Sequence, residues 1–151
     1  MNGDDSTRIE NVCFGQEVFN LEELNSEDVT LISKAQEVIK MNFDFEKNNH
    51  TVGAAVRCKN GNIYLGVNVY FNHGPCAEVI AVGAAITAGE REFDCIVAVR
   101  GEGDVLPPCG NCRQMLSDYA LACDVIVNTA DGEKKIKVSE LIPFSYVRKI
   151  Y

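Results

Sequence analysis

The stretch Ile63–Ala88, IYLGVNVYFNHGPCAEVIAVGAAITA, changes character twice, and those changes decide the fold. Ile63–Val69 is β-branched and apolar, as a strand requires. Phe71–Gly74 reads as a loop, and Pro75 suits the first turn of a helix, where its missing N–H is not needed. Ala77–Ala88 is nearly all apolar or small, so it predicts a buried helix, and Gly89 is a plausible stop. Strand, loop and helix follow one another, with Cys76 and Glu78 at the helix start.

Working outward, Thr51–Cys58 predicts a strand joined to Ile63–Val69 through the hairpin signal Lys59-Asn60-Gly61. Before it, Asn25-Ser26-Glu27-Asp28 marks a helix start, with a capping side chain followed by carboxylates near the positive dipole end. Val29, Ile32, Ala35, Ile39 and Phe43 recur at helical spacing and predict its buried face. Downstream, Cys95–Val99 is an apolar strand followed by a flexible Gly101-Glu102-Gly103-Asp104 loop. Pro107-Pro108 leads into a helix over Cys109–Tyr119. Asp124–Asn128 and Lys135–Val138 predict two last strands turning at Asp131-Gly132, and Ser139–Leu141 a short helix that Pro143 ends. The cluster Lys134-Lys135-Ile136-Lys137 alternates like a strand with one face in solvent. Strands alternating with helices imply an α/β domain, its helices packed on a sheet that is at least partly parallel. Residues 1–24 are polar and irregular and read as a loosely held extension, leaving 25–151 as the domain.

The totals agree with one domain: 151 residues, 46% hydrophobic, enough for an adequate core. No apolar run approaches the roughly 20 residues that cross a bilayer. The first twenty residues carry Asp4, Asp5, Glu10 and Glu17 and do not form a signal peptide, so the expected compartment is the cytoplasm. Seven cysteines, an odd number, argue for thiols and metal rather than a disulfide framework. Acids outnumber bases 22 to 14, a net charge of −8 with no basic stripe. That balance argues against a phosphate backbone as partner. A small neutral or cationic substrate is expected.

The chemistry gathers in two short motifs, Gly74-Pro75-Cys76-Ala77-Glu78 and Pro107-Pro108-Cys109-Gly110-Asn111-Cys112. Together they offer three thiolates and a carboxylate two residues after the first. Zinc held by three protein ligands keeps a fourth position open for water, which separates a catalytic from a structural site. Both motifs fall at predicted helix N-termini, whose unpaired N–H groups stabilise thiolates. Glu78 can take a proton from the water at that open position and return it to the substrate. Arg113, directly after Cys112, can donate to a ligand sulfur from the second coordination shell or form a plain surface salt bridge.

At these residues the chain resembles the cytidine deaminase superfamily. Gly66-Val67-Asn68-Val69-Tyr70 through Cys76-Ala77-Glu78, with Pro-Cys-Gly-x-Cys-Arg-Gln downstream, is similar to its blasticidin-S deaminase branch. The resemblance spans about Asn25 to Tyr146. It implies a three-layer α/β/α fold with a five-stranded mixed sheet, a homotetramer, zinc on Cys76, Cys109 and Cys112, and Glu78 as proton shuttle. The implied reaction is hydrolytic deamination at C4 of cytosine in a small nucleoside-like substrate, with blasticidin S ahead of cytidine and deoxycytidine. Nucleoside deaminases of this superfamily carry Asn-x-Glu in this strand for the ribose; here Asn68 is present and Tyr70 stands in place of Glu. Substrate contacts are implied at Asn68, Thr51, Tyr146 and Ala77. His50 aligns near a base-stacking position. Arg100 is a candidate to replace an arginine that the blasticidin branch carries before Pro-Cys.

Other readings remain open at this point. Cys109-Gly-Asn-Cys112 alone also marks redox sites. A non-catalytic protein with a closed structural zinc would take His73 as fourth ligand, three residues before Cys76. Nucleic-acid editing is disfavoured by the acidic balance. Cys58, Cys95 and Cys123 are expected to be buried as small apolar residues, and Cys13 has no partner pattern.

Overall fold

Asn25 starts the first helix by a reciprocal exchange: its side chain accepts from the Asp28 N–H at 2.9 Å, and the Asp28 carboxylate accepts from the Asn25 N–H at 3.0 Å. This capping box satisfies two N–H groups that a helix end leaves without partners. The computed structural model describes residues 19–150, and this helix, α1, spans Ser26–Asn42. Its buried face is Leu31, Ile32, Ala35, Val38 and Ile39, whereas Val29 is exposed. The expected stripe was therefore rotated at its start. Asp28, wholly buried, takes the position toward the sheet because Arg57 and Lys135 meet its carboxylate at 2.9 and 3.0 Å. A buried ion cluster does not register in a hydrophobic pattern.

The sheet contains β1 (Val52–Cys58), β2 (Ile63–Val67), β3 (Phe93–Arg100), β4 (Asp104–Leu106), β5 (Asp124–Thr129) and β6 (Gly132–Lys137). The main order is β2-β1-β3-β5-β6, the expected five strands. Only β3 and β5 are parallel neighbours; the other pairs are antiparallel. The short β4 is a sixth strand that the sequence did not predict; it begins at Asp104, the last residue of the expected flexible loop. It pairs with β3 at Ala98–Arg100, while β5 pairs at Cys95 and Ile96. Both occupy the β3 edge away from β1, one after the other.

Strand alternation sorts the core into two layers. Ala54, Val56, Ile96, Ala98, Val125 and Ile136 pack toward α2 (Ala77–Thr87) and α3 (Gly110–Tyr119). Ala55, Val97, Val99 and Ile126 pack toward α1. The three layers match the expected α/β/α arrangement. Each fully buried leucine or isoleucine in them contributes about 1.5–3 kcal/mol. Gly53 faces α1 so closely that a Cβ there would lie 2.2 Å from the Ala35 carbonyl oxygen. A final helix, α4, covers Val138–Leu141.

Three further expectations change. Pro75 lies just outside α2, because Cys76 itself is the N-cap. The lysine run does not leave one face in solvent: Lys135 is buried against Asp28, and Lys137 pairs with Asp124 at 2.7 Å. Residues 19–24 are not loose; Glu22 exchanges both backbone hydrogen bonds with Lys135, and Asn20 donates to Glu140 at 3.0 Å. Residues 1–18 of the expected extension, Cys13 among them, lie outside the described residues. No described helix is long and apolar enough to cross a membrane.

Candidate metal and catalytic site

Because β1 runs antiparallel to both β2 and β3, those two strands point the same way and end at one edge of the sheet. The chain leaves β2 into α2, and leaves β3 through β4 into α3, with both helices on the same face. Their N-termini therefore return to the same edge. Beyond the carboxyl ends of like-directed strands is where an open α/β sheet offers a crevice. Cys76 is the N-cap of α2 and Cys109 the N-cap of α3, and neither side chain makes a capping hydrogen bond. Cys112 lies in the first turn of α3.

Gly66 lets α2 come close enough. A Cβ there would stand 2.5 Å from both the Ala77 carbonyl oxygen and the Ala81 nitrogen. The first turn of α2 thus rests on bare backbone of β2. Sequence reasoning quoted Gly66 as part of a motif and did not assign it this role. The available signal was a glycine inside a strand, which often marks a close backbone approach.

The cysteines converge as expected. All three sulfurs lie within 4.8 Å of one another, and Cys76 Sγ is 3.6 Å from Cys109 Sγ. With Zn–S bonds of about 2.3 Å, tetrahedral ligands stand about 3.8 Å apart, so this donor set fits zinc in both softness and spacing. Burial runs from Cys109, exposed, through Cys76 to Cys112, fully buried. Burial, the Cys109 thiol and the Glu78 charge push Cys76 up against a pull from the Cys112 thiol, and burial with the nearby Glu78 pushes Cys112 far up. At Cys109 burial also acts upward, but the Cys112 N–H, the Cys76 and Cys112 thiols and the Asn111 N–H together outweigh it and hold that thiol below its ordinary value. Without a cation the cluster favours one thiolate; a divalent ion offsets the repulsion that opposes the other two.

Glu78 is only 6% exposed, in the first turn of α2 beside Cys112. Burial pushes its carboxyl up, against a smaller downward pull from its own N–H and the Cys112 thiol. His73 is exposed, has φ of 63°, and does not join the sulfur cluster, which has three ligand residues among those described. A closed four-ligand site is not assembled there.

The expected substrate residues divide into groups. Asn68 Oδ1 accepts from the Val52 N–H at 3.0 Å, extending the β1–β2 pairing and leaving its NH2 as the outward donor. His50, at φ of 59°, has Nδ1 2.8 Å from the Asn68 carbonyl. A carbonyl only accepts, so Nδ1 carries a proton and donates to it. Thr51 Oγ1 and Tyr70 OH are hydrogen-bonded at 2.9 Å. Val69 N–H donates to the Pro75 carbonyl, which seats this group against the Cys76 turn. Ala77 is fully buried. Arg100 and Thr51 line a groove of about 550 Å³ with Ile39, Phe43 and Phe45. Tyr146 is 72% exposed on the C-terminal segment.

Arg113 departs from expectation. Its Nε donates to the Pro108 carbonyl at 2.9 Å and an NH group to the Leu141 carbonyl at 3.0 Å; among the described residues it donates to no sulfur and forms no salt bridge. Two backbone carbonyls, stronger acceptors than a sulfur, take its Nε and an NH group. Cys58, Cys95 and Cys123 are buried as expected, with burial pushing Cys58 up to about 11 and Cys95 to about 12.

The chain is similar to known proteins. The family described as the cytidine and deoxycytidylate deaminase zinc-binding region matches residues 25–129. Blasticidin-S deaminase of Bacillus cereus is 40% identical over 136 residues, covering 83% of this chain and 96% of that protein. Cytidine deaminase of Halalkalibacterium halodurans is 33% identical over 100 residues, 63% of this chain and 76% of that one. Among solved structures, the cytidine deaminase of Burkholderia pseudomallei superposes with a TM-score of 0.67 at 26% identity, over 82% of this chain and all of that one.

Proposed function

The chain belongs to the zinc-binding cytidine and deoxycytidylate deaminase family and is a zinc-dependent hydrolytic deaminase; on that premise we propose that its substrate is blasticidin S, its metal ligands Cys76, Cys109 and Cys112, and its proton shuttle Glu78. The observation that carries the site is three sulfurs within 4.8 Å beside one buried carboxylate. Zinc, when bound there, supplies a water molecule acidic enough to become a nucleophile at neutral pH. Glu78 takes one proton from that water and delivers it to the ring nitrogen, then takes the second from the added hydroxyl and delivers it to the amino group, which leaves as ammonia. Its burial keeps bulk water from competing for that proton. Asn68 and the Ala77 backbone orient the cytosine-bearing compound, and His50 lies against it.

The choice among cytosine compounds rests on Tyr70. Hydrogen-bonded to Thr51, its phenol offers no carboxylate to chelate a vicinal diol. Arg100 beside Thr51 supplies a cation for a substrate carboxylate. The similarity to the Bacillus cereus enzyme supports the same choice. Cytidine or deoxycytidine, on a salvage route, is the second reading; Asn68 favours it. Ultraviolet loss of the 4-amino chromophore, followed in parallel on blasticidin S, cytidine and deoxycytidine, is the test. Fast turnover of blasticidin S is expected. Fast turnover of cytidine with none of the antibiotic reverses the order, and an Arg100→Ala enzyme with undiminished blasticidin turnover removes Arg100 from the site.

The catalytic domain in this reading begins at Asn25, acts in the reducing cytoplasm where its thiols stay free for zinc, and engages no nucleic acid, given the charge of −8. It works as a homotetramer. Phe144, Val147 and Ile150 stand exposed along one C-terminal segment, a large apolar surface for a single chain to leave in water. Light scattering on the eluting protein should give a mass near four times 16.6 kDa; a monomer rejects the tetramer.

A further inference from the structure

We propose that Arg113 is a positioning residue that joins the metal helix to the C-terminal segment, so that retention of the metal and seating of Tyr146 depend on each other. This rests on the sulfur site proposed above. The Arg113 side chain holds the approach to Cys109: its Nε donates to the Pro108 carbonyl at 2.9 Å, while its backbone N–H makes the ordinary helical bond to the Cys109 carbonyl that any residue there would make. The Pro108–Cys109 peptide is planar, so holding its oxygen sets the direction in which Cys109 enters α3. The same guanidinium donates to the Leu141 carbonyl at 3.0 Å, where α4 ends. Because the fork is rigid, these two carbonyls are held at a fixed spacing.

The next residues of α3 continue the attachment. Gln114 Nε2 donates to the Tyr146 carbonyl at 3.0 Å, and the Ser117 and Ser145 hydroxyls meet at 3.1 Å. Between these anchors Phe144 sits at φ of 57° with its side chain wholly exposed. A non-glycine residue keeps that conformation only where its surroundings over-determine it. Here the bonds at Leu141, Ser145 and Tyr146 flank it. The helix that presents Cys109 and Cys112 therefore also imposes the shape of the segment that carries Tyr146. A coupling of this kind is reciprocal by linkage: what loosens one end loosens the other.

The test uses the full chain with and without zinc. Zinc release to a chromogenic chelator is followed for wild type, Arg113→Lys and Arg113→Ala at a temperature where each is folded. Release is expected to quicken roughly ten-fold or more in Arg113→Ala, as loss of two charge-assisted hydrogen bonds implies, and by an intermediate factor in Arg113→Lys. Melting is measured for loaded and stripped forms of each. A merely structural arginine lowers both forms equally; a positioning one shrinks the gap between them. Hydrogen exchange supplies the reverse reading, with amides of residues 142–150 exchanging faster in stripped wild type. An unchanged release rate with an unchanged gap overturns the proposal, as does exchange in 142–150 that ignores zinc. Arg113→Lys carries the test if the alanine variant does not fold. Wild type that binds no zinc refutes the sulfur site instead, and variants at Arg113 are then not needed to see it.

Discussion

At Asp28 a fully buried carboxylate caps the first helix and also receives Arg57 at 2.9 Å and Lys135 at 3.0 Å. Burial raises its pKa, but the Asn25 N–H, Arg57 and Lys135 together outweigh that and hold it below the ordinary aspartate value of 3.8. Asp94, paired with Arg57 at 2.7 Å, is lowered for the same kind of reason. Such groups stabilise the fold fully above the unfolded pKa, and the contribution is lost as pH falls through about 3.8 toward the lower folded value. Acid titration of unfolding should therefore show stability flat above about pH 5 and falling below about pH 4, with the fall blunted in Asp28→Asn. Asp28→Ala leaves Lys135 buried without its partner and Arg57 with Asp94 alone, and Arg57 already has one buried NH group unpaired. A loss of about 3–5 kcal/mol in urea unfolding is expected; a loss under about 1 kcal/mol, the value of an exposed pair, shows that the cluster is solvated. Glu78→Gln should keep its zinc and lose turnover by at least roughly a hundredfold. Retained activity ends the shuttle role.

Elements met expectation where the signal was local. The capping box at Asn25 and the hairpin turn at Gly61 stand where local chemistry put them, and α2 and α3 start within two residues of where the two proline-cysteine motifs placed them. Misreadings came where a distant partner decided. Val29 lost its buried place to Asp28, Lys135 turned inward to the same carboxylate, and β4 formed because β3 had a free edge to pair with. Gly66 is the element-scale test. In Gly66→Ala the new methyl meets backbone of α2 at 2.5 Å, with no flexible side chain to give way. The first turn of α2 should shift, costing roughly 1–3 kcal/mol of stability and weakening zinc binding, read by competition with a chelator. Wild-type zinc affinity in that variant means that α2 is not placed by its contact with β2.

For the whole molecule, a metal held by the three sulfurs would join two helices that otherwise touch little, so removing it should act on the fold and not only on the reaction. Zinc bound to the native state alone raises stability with its free concentration, and chelated protein should melt lower in a dose-dependent way. Melting that ignores chelator removes zinc from the fold's energetics. By itself the sequence determined which three cysteines would come together at two helix starts, with a glutamate two residues after the first, because that is a local pattern with few other uses. It also determined the layering, since strand and helix periods are local. Only the tertiary structure decided which carboxylate is buried with which cation, that His73 stays outside the cluster, and that Arg113 holds carbonyls rather than sulfur. Those outcomes depend on partners far apart along the chain, and pairing of that kind is set by packing, which no local period records.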